Sequence, residues 1–345
     1  VHAAVLAALL ERLPCPADMS PESYRRNLSA RAFDVARYLL FLGAPTNVGQ
    51  VTSIRTLEKQ IRRLRVSEYA ELRELAEEIT AALSAPPACT WYPGVPAEPV
   101  APTLARFAAP DEYQRSVREQ LRLWAQQNLP PAAAVEPPAV DLVMPRDSVA
   151  DAVATLLYPV TDRPFRELYE MAAGWSDATR REVLELATRS RGQRDELPRA
   201  FRSAPYAFDI VMDIGAWRDL HRHRRCHQYR QAFTTRLGYD TPPILAEIGL
   251  EADFRCAIEN ALAAARTLPE PASHYLLPFA TRSRFLFKMD FAEADYICRL
   301  RTSVKGHFSY RRIAWEMKQA LEREQPELGR LIEATPPWIE DPLRR

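Results

Sequence analysis

Across its 345 residues the sequence lacks an excess of charge of either sign: 46 Lys and Arg face 45 Asp and Glu, a formal net of +1. No global field then favours nucleic acid or an anionic membrane, and any basic function has to be local. Cysteine is sparse: Cys15, Cys89, Cys226, Cys256 and Cys298 are scattered, odd in number and without a C-x-x-C pair. Neither a disulfide framework nor a cysteine zinc site is supported. His221, His223 and His227 cluster, but Asp219 is the one carboxylate beside them and the interleaved arginines would repel a divalent cation, so no metal is expected. No run approaches the roughly 18 apolar residues of a membrane span, and no secretory leader precedes the first helix, so a cytoplasmic protein with no membrane partner is expected. A Gly-aromatic RNA motif is missing too, which argues against a nucleic-acid partner. The sequence opens at Val1 inside an Ala- and Leu-rich helical stretch to Arg12, and part of the protein is expected upstream.

What is present is a local concentration of cations. His221-Arg222-His223-Arg224-Arg225 follows a stretch, 208–214, that alternates apolar and polar residues as a half-buried strand does. Arginine offers a rigid fork of donors suited to phosphate, and histidine can donate or accept near neutral pH, so an anionic ligand is expected beside this run.

Proline punctuates the chain. Of 29 prolines, a large share falls between Pro86 and Pro145, in Ala-Pro-rich text that favours extended backbone and reads as a linker. One helix interrupts it, Asp111 to Asn128, with Tyr113, Val117, Leu121 and Trp124 on one face. Further helices are expected at Arg166 to Ala173, at Thr179 to Arg189 with Asp177 as cap, and from Ile244 to Thr267. Helices with a minority of strands give an α+β class.

The blocks flanking the linker resemble each other. The first carries Tyr38-Leu39-Leu40 and then Arg63-Leu64-Arg65-Val66-Ser67; the second carries Tyr275-Leu276-Leu277 and then Arg299-Leu300-Arg301-Thr302-Ser303. The spacing from Tyr to the first Arg is 25 residues in one block and 24 in the other, and an internal duplication is the natural reading. The expected organisation is an incomplete first repeat at 1–85, a linker at 86–146, a fuller second repeat at 147–335 and a tail at 336–345.

Strand, Arg222-His223-Arg224, helix, Leu-Leu-Pro, Arg-Leu-Arg and amphipathic helix, in that order, resemble the flavin-dependent thymidylate synthases. The resemblance implies an α+β fold with helices around a mixed or antiparallel sheet, and reductive methylation of dUMP to dTMP. It also implies FAD as cofactor, with NADPH and methylenetetrahydrofolate as co-substrates, and a homo-oligomer. Arg222, His223 and Arg224 stand where the family contacts flavin, and Ser53 and Arg55 match a second flavin-contacting motif. Arg37, Arg65, Arg301 and His307 stand at nucleotide-binding positions; at Arg37's place the second block has His274. The sequence also departs from the family: its serine is Ala232, a nearby arginine is Thr234, with Arg236 one turn along as a replacement, and its glutamine is Asp219. No catalytic residue is assigned, and a degenerate homologue that binds flavin or nucleotide in a structural or regulatory role is the alternative. A site joining first-block to second-block residues, between blocks or between chains, is expected.

Overall fold

A computed structural model of the chain describes residues 1–87, 98–105, 107–130, 138–144, 146–190, 198–201, 205–329, 332–341 and 343. Cys89 and the linker strings at 88–97 and 131–137 lie outside them. The first helices are α1 (His2–Arg12), α2 (Pro21–Ala36), α3 (Ile54–Leu64), α4 (Ala70–Ser84), α5 (Pro102–Ala105) and α6 (Glu112–Asn128). After β1 (Val140–Val143) come α7 (Ser148–Leu157), α8 (Phe165–Gly174), α9 (Asp177–Thr188), β2 (Tyr206–Asp213), α10 (Ile214–Leu220) and β3 (His227–Arg230). The remainder is α11 (Ile244–Glu247), α12 (Glu251–Arg266), β4 (Arg282–Met289), α13 (Phe291–Arg301), α14 (Phe308–Glu324) and α15 (Pro326–Gly329). The fold is α+β. No helix among the described residues is long and apolar enough to cross a membrane.

The chain divides into two compact units, one of 1–44, 121–185 and 198–345, the other of 45–120 and 186–197. In the second, α3 and α4 close over a small core of Ile61, Ala76 and Leu83 with Ala101 and Ala108. Tyr113 and Val117 on α6 are buried as their spacing predicts.

The first unit is built on an antiparallel sheet in the order β1-β2-β4-β3. β2 and β4 pair over their full eight residues, from Tyr206 opposite Met289 to Asp213 opposite Arg282. β2 is not half-buried, as its alternation suggested: seven of its eight residues are buried. Phe208, Ile210 and Met212 join a core with Phe285 and Phe287 of β4, Phe254 and Ile258 of α12 and Ile313 and Met317 of α14. Each such side chain contributes about 1.5–3 kcal/mol by leaving water. On the other face Asp209 is also out of water, because Tyr158 donates to it at 2.8 Å, the Phe165 amide donates at 2.6 Å and Arg284 lies at 3.5 Å. Polar alternation marked a satisfied carboxylate, not a solvated face.

Two helix boundaries also differ from expectation. The cap of α9 is Ser176, which accepts from the Thr179 amide at 3.2 Å, with Asp177 already inside the helix. The stretch 244–267 is two helices, α11 and α12, broken at Gly249, whose φ of 72° an L side chain resists.

Residues 38–43 run antiparallel to 275–280, with Phe41 opposite Pro278. Gly43 is required there: a Cβ would stand 2.9 Å from both the Cβ and the carbonyl oxygen of Tyr275.

Candidate functional site

The basic run lies in the connection from α10 to the edge strand β3. Asp213 ends β2 and caps α10, accepting from the Ala216 amide at 2.7 Å. The helix closes at His221, whose amide donates to the Trp217 carbonyl at 2.7 Å. Trp217 stacks on Phe285 of the sheet at 5.1 Å and meets the His221 ring edge-on at 5.0 Å, which fixes the direction in which the chain leaves the helix.

From there alternate residues face opposite ways. Arg222 and Arg224 are exposed, and among the described residues Arg224 has no hydrogen-bond or ion-pair partner. His223 is buried between them. Its Nε2 accepts from Arg301 Nε at 2.9 Å, which leaves the proton on Nδ1, 3.5 Å from Glu293 Oε1. Tyr296 meets the ring edge-on at 5.7 Å. Burial first, and the Arg301 charge second, lower the imidazole to a pKa of about 4, so it is neutral at physiological pH. His223 therefore anchors the loop to α13, and the two flanking arginines project outward.

A second set of cations arrives from residues 37–39, the single 3-10 turn after α2. Arg37 donates to Asp219 Oδ2 at 3.0 Å, and Arg222 lies 3.3 Å from Oδ1 of the same carboxylate. Both Arg37 and Asp219 are only 17% exposed. The Arg37 Nε is buried without a protein partner. Arg218 lies over the Phe279 ring at 4.6 Å. Two guanidinium groups, those of Arg37 and Arg222, thus share one carboxylate and leave a local excess of positive charge. The Arg37–Asp219 contact joins residues 182 positions apart and carries no local signal.

The other expected site residues fall in different settings. Arg301 is held between His223 and the Tyr310 ring, 5.5 Å from its centroid. His307 is buried, with Nε2 at 3.2 Å from the Asp34 carbonyl and Nδ1 accepting from the Ser309 amide at 3.2 Å as the cap of α14. Burial first, then Arg37 and Arg31, push its pKa well below the ordinary value. Ala232 is exposed in irregular chain. Thr234 accepts from the Arg236 Nε at 3.2 Å, and Arg236 pairs with Asp162 at 2.7 Å. Ser53, Arg55 and Arg65 belong to the second unit. There Ser53 caps α3 by accepting from the Thr56 amide at 3.2 Å, Arg55 is exposed, and Arg65 pairs with Glu77 at 2.8 Å.

One cluster had no sequence signal. Ser309 donates a short hydrogen bond to Asp213 Oδ2 beneath α10. Burial, and then the Asp240 charge, raise Asp213 to a pKa of about 6. Burial, and then Asp213, push the Tyr38 phenol well above its usual value.

The fold is thus an α+β one, with an antiparallel sheet that carries an arginine-bearing loop beside its edge strand. Residues 146–327 match the family described as "Thymidylate synthase complementing protein". The chain belongs to that family. It is 31% identical over 327 residues to a protein from Chlamydia muridarum described as "UPF0159 protein", covering 91% of this chain and 59% of that one. A "UPF0159 protein" of Thermoplasma acidophilum is 25% identical over 334 residues, covering 91% and 61%. The chain thus spans about three fifths of the length of these curated relatives. Among solved structures it is similar to a flavin dependent thymidylate synthase ThyX from Helicobacter pylori complexed with FAD and dUMP, at 14% identity and a TM-score of 0.31 over 56% of this chain and 99% of that one. A UMP/dUMP methylase PolB from Streptomyces cacaoi bound with 5-Br dUMP aligns at 16% identity and a TM-score of 0.32, over 55% and 92%.

Proposed function

We propose that this chain works as a flavin-dependent thymidylate synthase: reductive methylation of dUMP to dTMP with FAD, methylenetetrahydrofolate as carbon donor and NADPH as reductant. The observation that carries this reading is the meeting of Arg37 with Asp219 beside Arg222-His223-Arg224. Those donors suit the group they would hold: two outward arginines, and an Arg37 Nε left without a protein partner, match the phosphates of a flavin dinucleotide and of dUMP. Bound there, the flavin would supply the hydride chemistry. The chain's own residues do the rest. Neutral His223 holds the loop rigid, Arg222 and Arg224 bind the cofactor, and Arg37 takes the nucleotide phosphate. Asp219 keeps Arg37 and Arg222 extended and oriented before a ligand arrives. Arg301 acts through His223, and His307 through the start of α14. For Ser53 and Arg55 a flavin role, and for Arg65 a nucleotide role, rest on the family resemblance alone.

Ala232 favours a second reading. A methyl stands where the family has a serine facing the nucleotide, so the chain would bind flavin or nucleotide in a structural or regulatory role without turnover. Replacing Arg37 and Arg224 separately by alanine tests the shared part of both readings. Each change should weaken one ligand by about 10- to 150-fold, since a hydrogen bond to a charged group contributes about 1.5–3 kcal/mol. Unchanged flavin retention and dUMP affinity in both variants would sink the site. Tritium release from C5-labelled deoxyuridine monophosphate separates the readings, because flavin binding without release leaves only the degenerate homologue.

A further inference from the structure

We propose that the chain is an internal pseudo-dimer, in which two copies of one module pair through 38–43 and 275–280 and the first copy brings Arg37 to the second as a separate subunit otherwise would. Any antiparallel pair is locally two-fold, so symmetry of its hydrogen bonds alone means little. What matters here is where the centre falls. Aligning Tyr38-Leu39-Leu40 with Tyr275-Leu276-Leu277 sets an offset of 237 positions, and by that offset Phe41 is equivalent to Pro278, the residue it faces. The Leu42 amide donates to Leu277 at 3.0 Å and its equivalent, Phe279, donates to Leu40 at 2.6 Å. The Gly43 amide donates to Tyr275 at 2.9 Å and its equivalent, Ala280, donates to Tyr38 at 3.2 Å. Each segment therefore binds its own counterpart in register, which is the signature of an isologous interface.

Helix positions support the offset to within one residue, since the Arg-Leu-Arg-x-Ser motifs at the helix ends stand 236 apart. Ile54–Leu64 and Phe291–Arg301 are both 11 residues and stand 237 positions apart at both ends. Both are capped by a side chain, Ser53 or Asp290, that accepts from the amide three residues on. The copies have diverged where it matters chemically: Arg37 reaches Asp219, whereas its equivalent His274 is buried edge-on against Phe233 at 5.7 Å.

Arg37's role here rests on the function proposed above; the pairing does not. Two arms keep them apart. In the full chain, with Cys15, Cys89 and Cys256 replaced by serine, Phe41→Cys with Pro278→Cys puts thiols at a non-hydrogen-bonded pair, about 4.5 Å between Cα atoms and within disulfide reach. Mild oxidation should give a chain-mass species of altered mobility on a non-reducing gel, in a yield independent of dilution. Disulfide-linked dimers that grow with concentration, or no cross-link, would overturn the pairing. In the second arm, Leu42→Pro removes one donor of the pair, and it should weaken dUMP by the same 10- to 150-fold as Arg37→Ala, with the double variant no weaker than either. Additive losses would overturn Arg37's delivery by the pairing. If the cross-link forms but the unmodified chain binds no dUMP, the pairing stands and the proposed function falls.

Discussion

Helix pairs α3–α4 and α13–α14 begin alike and end differently. α3 and α13 share length, capping pattern and order in the chain, and each packs on the helix that follows. The first pair closes over a few apolar residues, Ile61, Ala76 and Leu83. The second buries Glu293, Thr302, His307, Ser309 and Arg311. A cap needs only its own residue and an amide three positions on, so it persists through divergence. A buried polar network needs partners from distant segments, here Asp34, Asp213 and the carbonyls of Pro336 and Ile339, and it exists only where those segments are assembled.

The sharpest way to break this contrast is to compare Arg311 with Arg73. Arg311 is buried and donates to the carbonyls of Thr302, Pro336 and Ile339, whereas Arg73 on α4 is exposed and donates to the Ser67 carbonyl at 2.7 Å. Arg311→Met should cost about 3–5 kcal/mol in urea unfolding, because several buried acceptors lose their donor. Arg73→Ala should stay within ~0.5 kcal/mol. Equal losses would mean that the two helix pairs are held by the same forces.

Acid should act on the second pair through His223. Its folded pKa of about 4 lies below the ordinary value, so its contribution is complete above about pH 6.5 and is lost as pH falls toward 4, a span of roughly 3 kcal/mol. His223→Gln should flatten that limb of the stability curve; an unchanged acid limb would place the sensitivity elsewhere. Asp213 runs the opposite way. With a folded pKa of about 6 it favours the fold most below about pH 4, and stability falls by up to roughly 3 kcal/mol as pH rises to 6. Asp213→Asn keeps a cap-competent side chain for α10 and should remove that slope in pH-resolved unfolding. The smallest effect tests what the pairs share: Ser53→Ala and Asp290→Ala should each cost about 1 kcal/mol, and a large inequality would sink the claim of equivalent caps.

Much of the fold was legible because it is periodic. The stripe Tyr113, Val117, Leu121 and Trp124 declared α6, and all four are buried. β2 was legible as a strand but not as a strand covered on both faces, since the alternation cannot reveal that Asp209 finds Tyr158 and the Phe165 amide. β4 carries Lys288, which reads as solvated until Asp151 and Thr155 are brought beneath it. At the site, the loop 222–224 was visible as a charge run and a first-block arginine beside it was expected from the family resemblance, but His223 facing inward and the Arg37–Asp219 pairing were not. Both depend on contacts 78 and 182 residues apart.

Gly43 sets the tolerance of the seam to sequence drift. Its equivalent, Ala280, carries a methyl opposite Tyr38, yet a methyl at 43 would press on Tyr275 at 2.9 Å. The two sides of the joint are therefore under unequal constraint: position 280 holds a methyl within the core, and position 43 has room for none. On the proposed duplication, that inequality makes the first copy's side of the seam the less forgiving of the two.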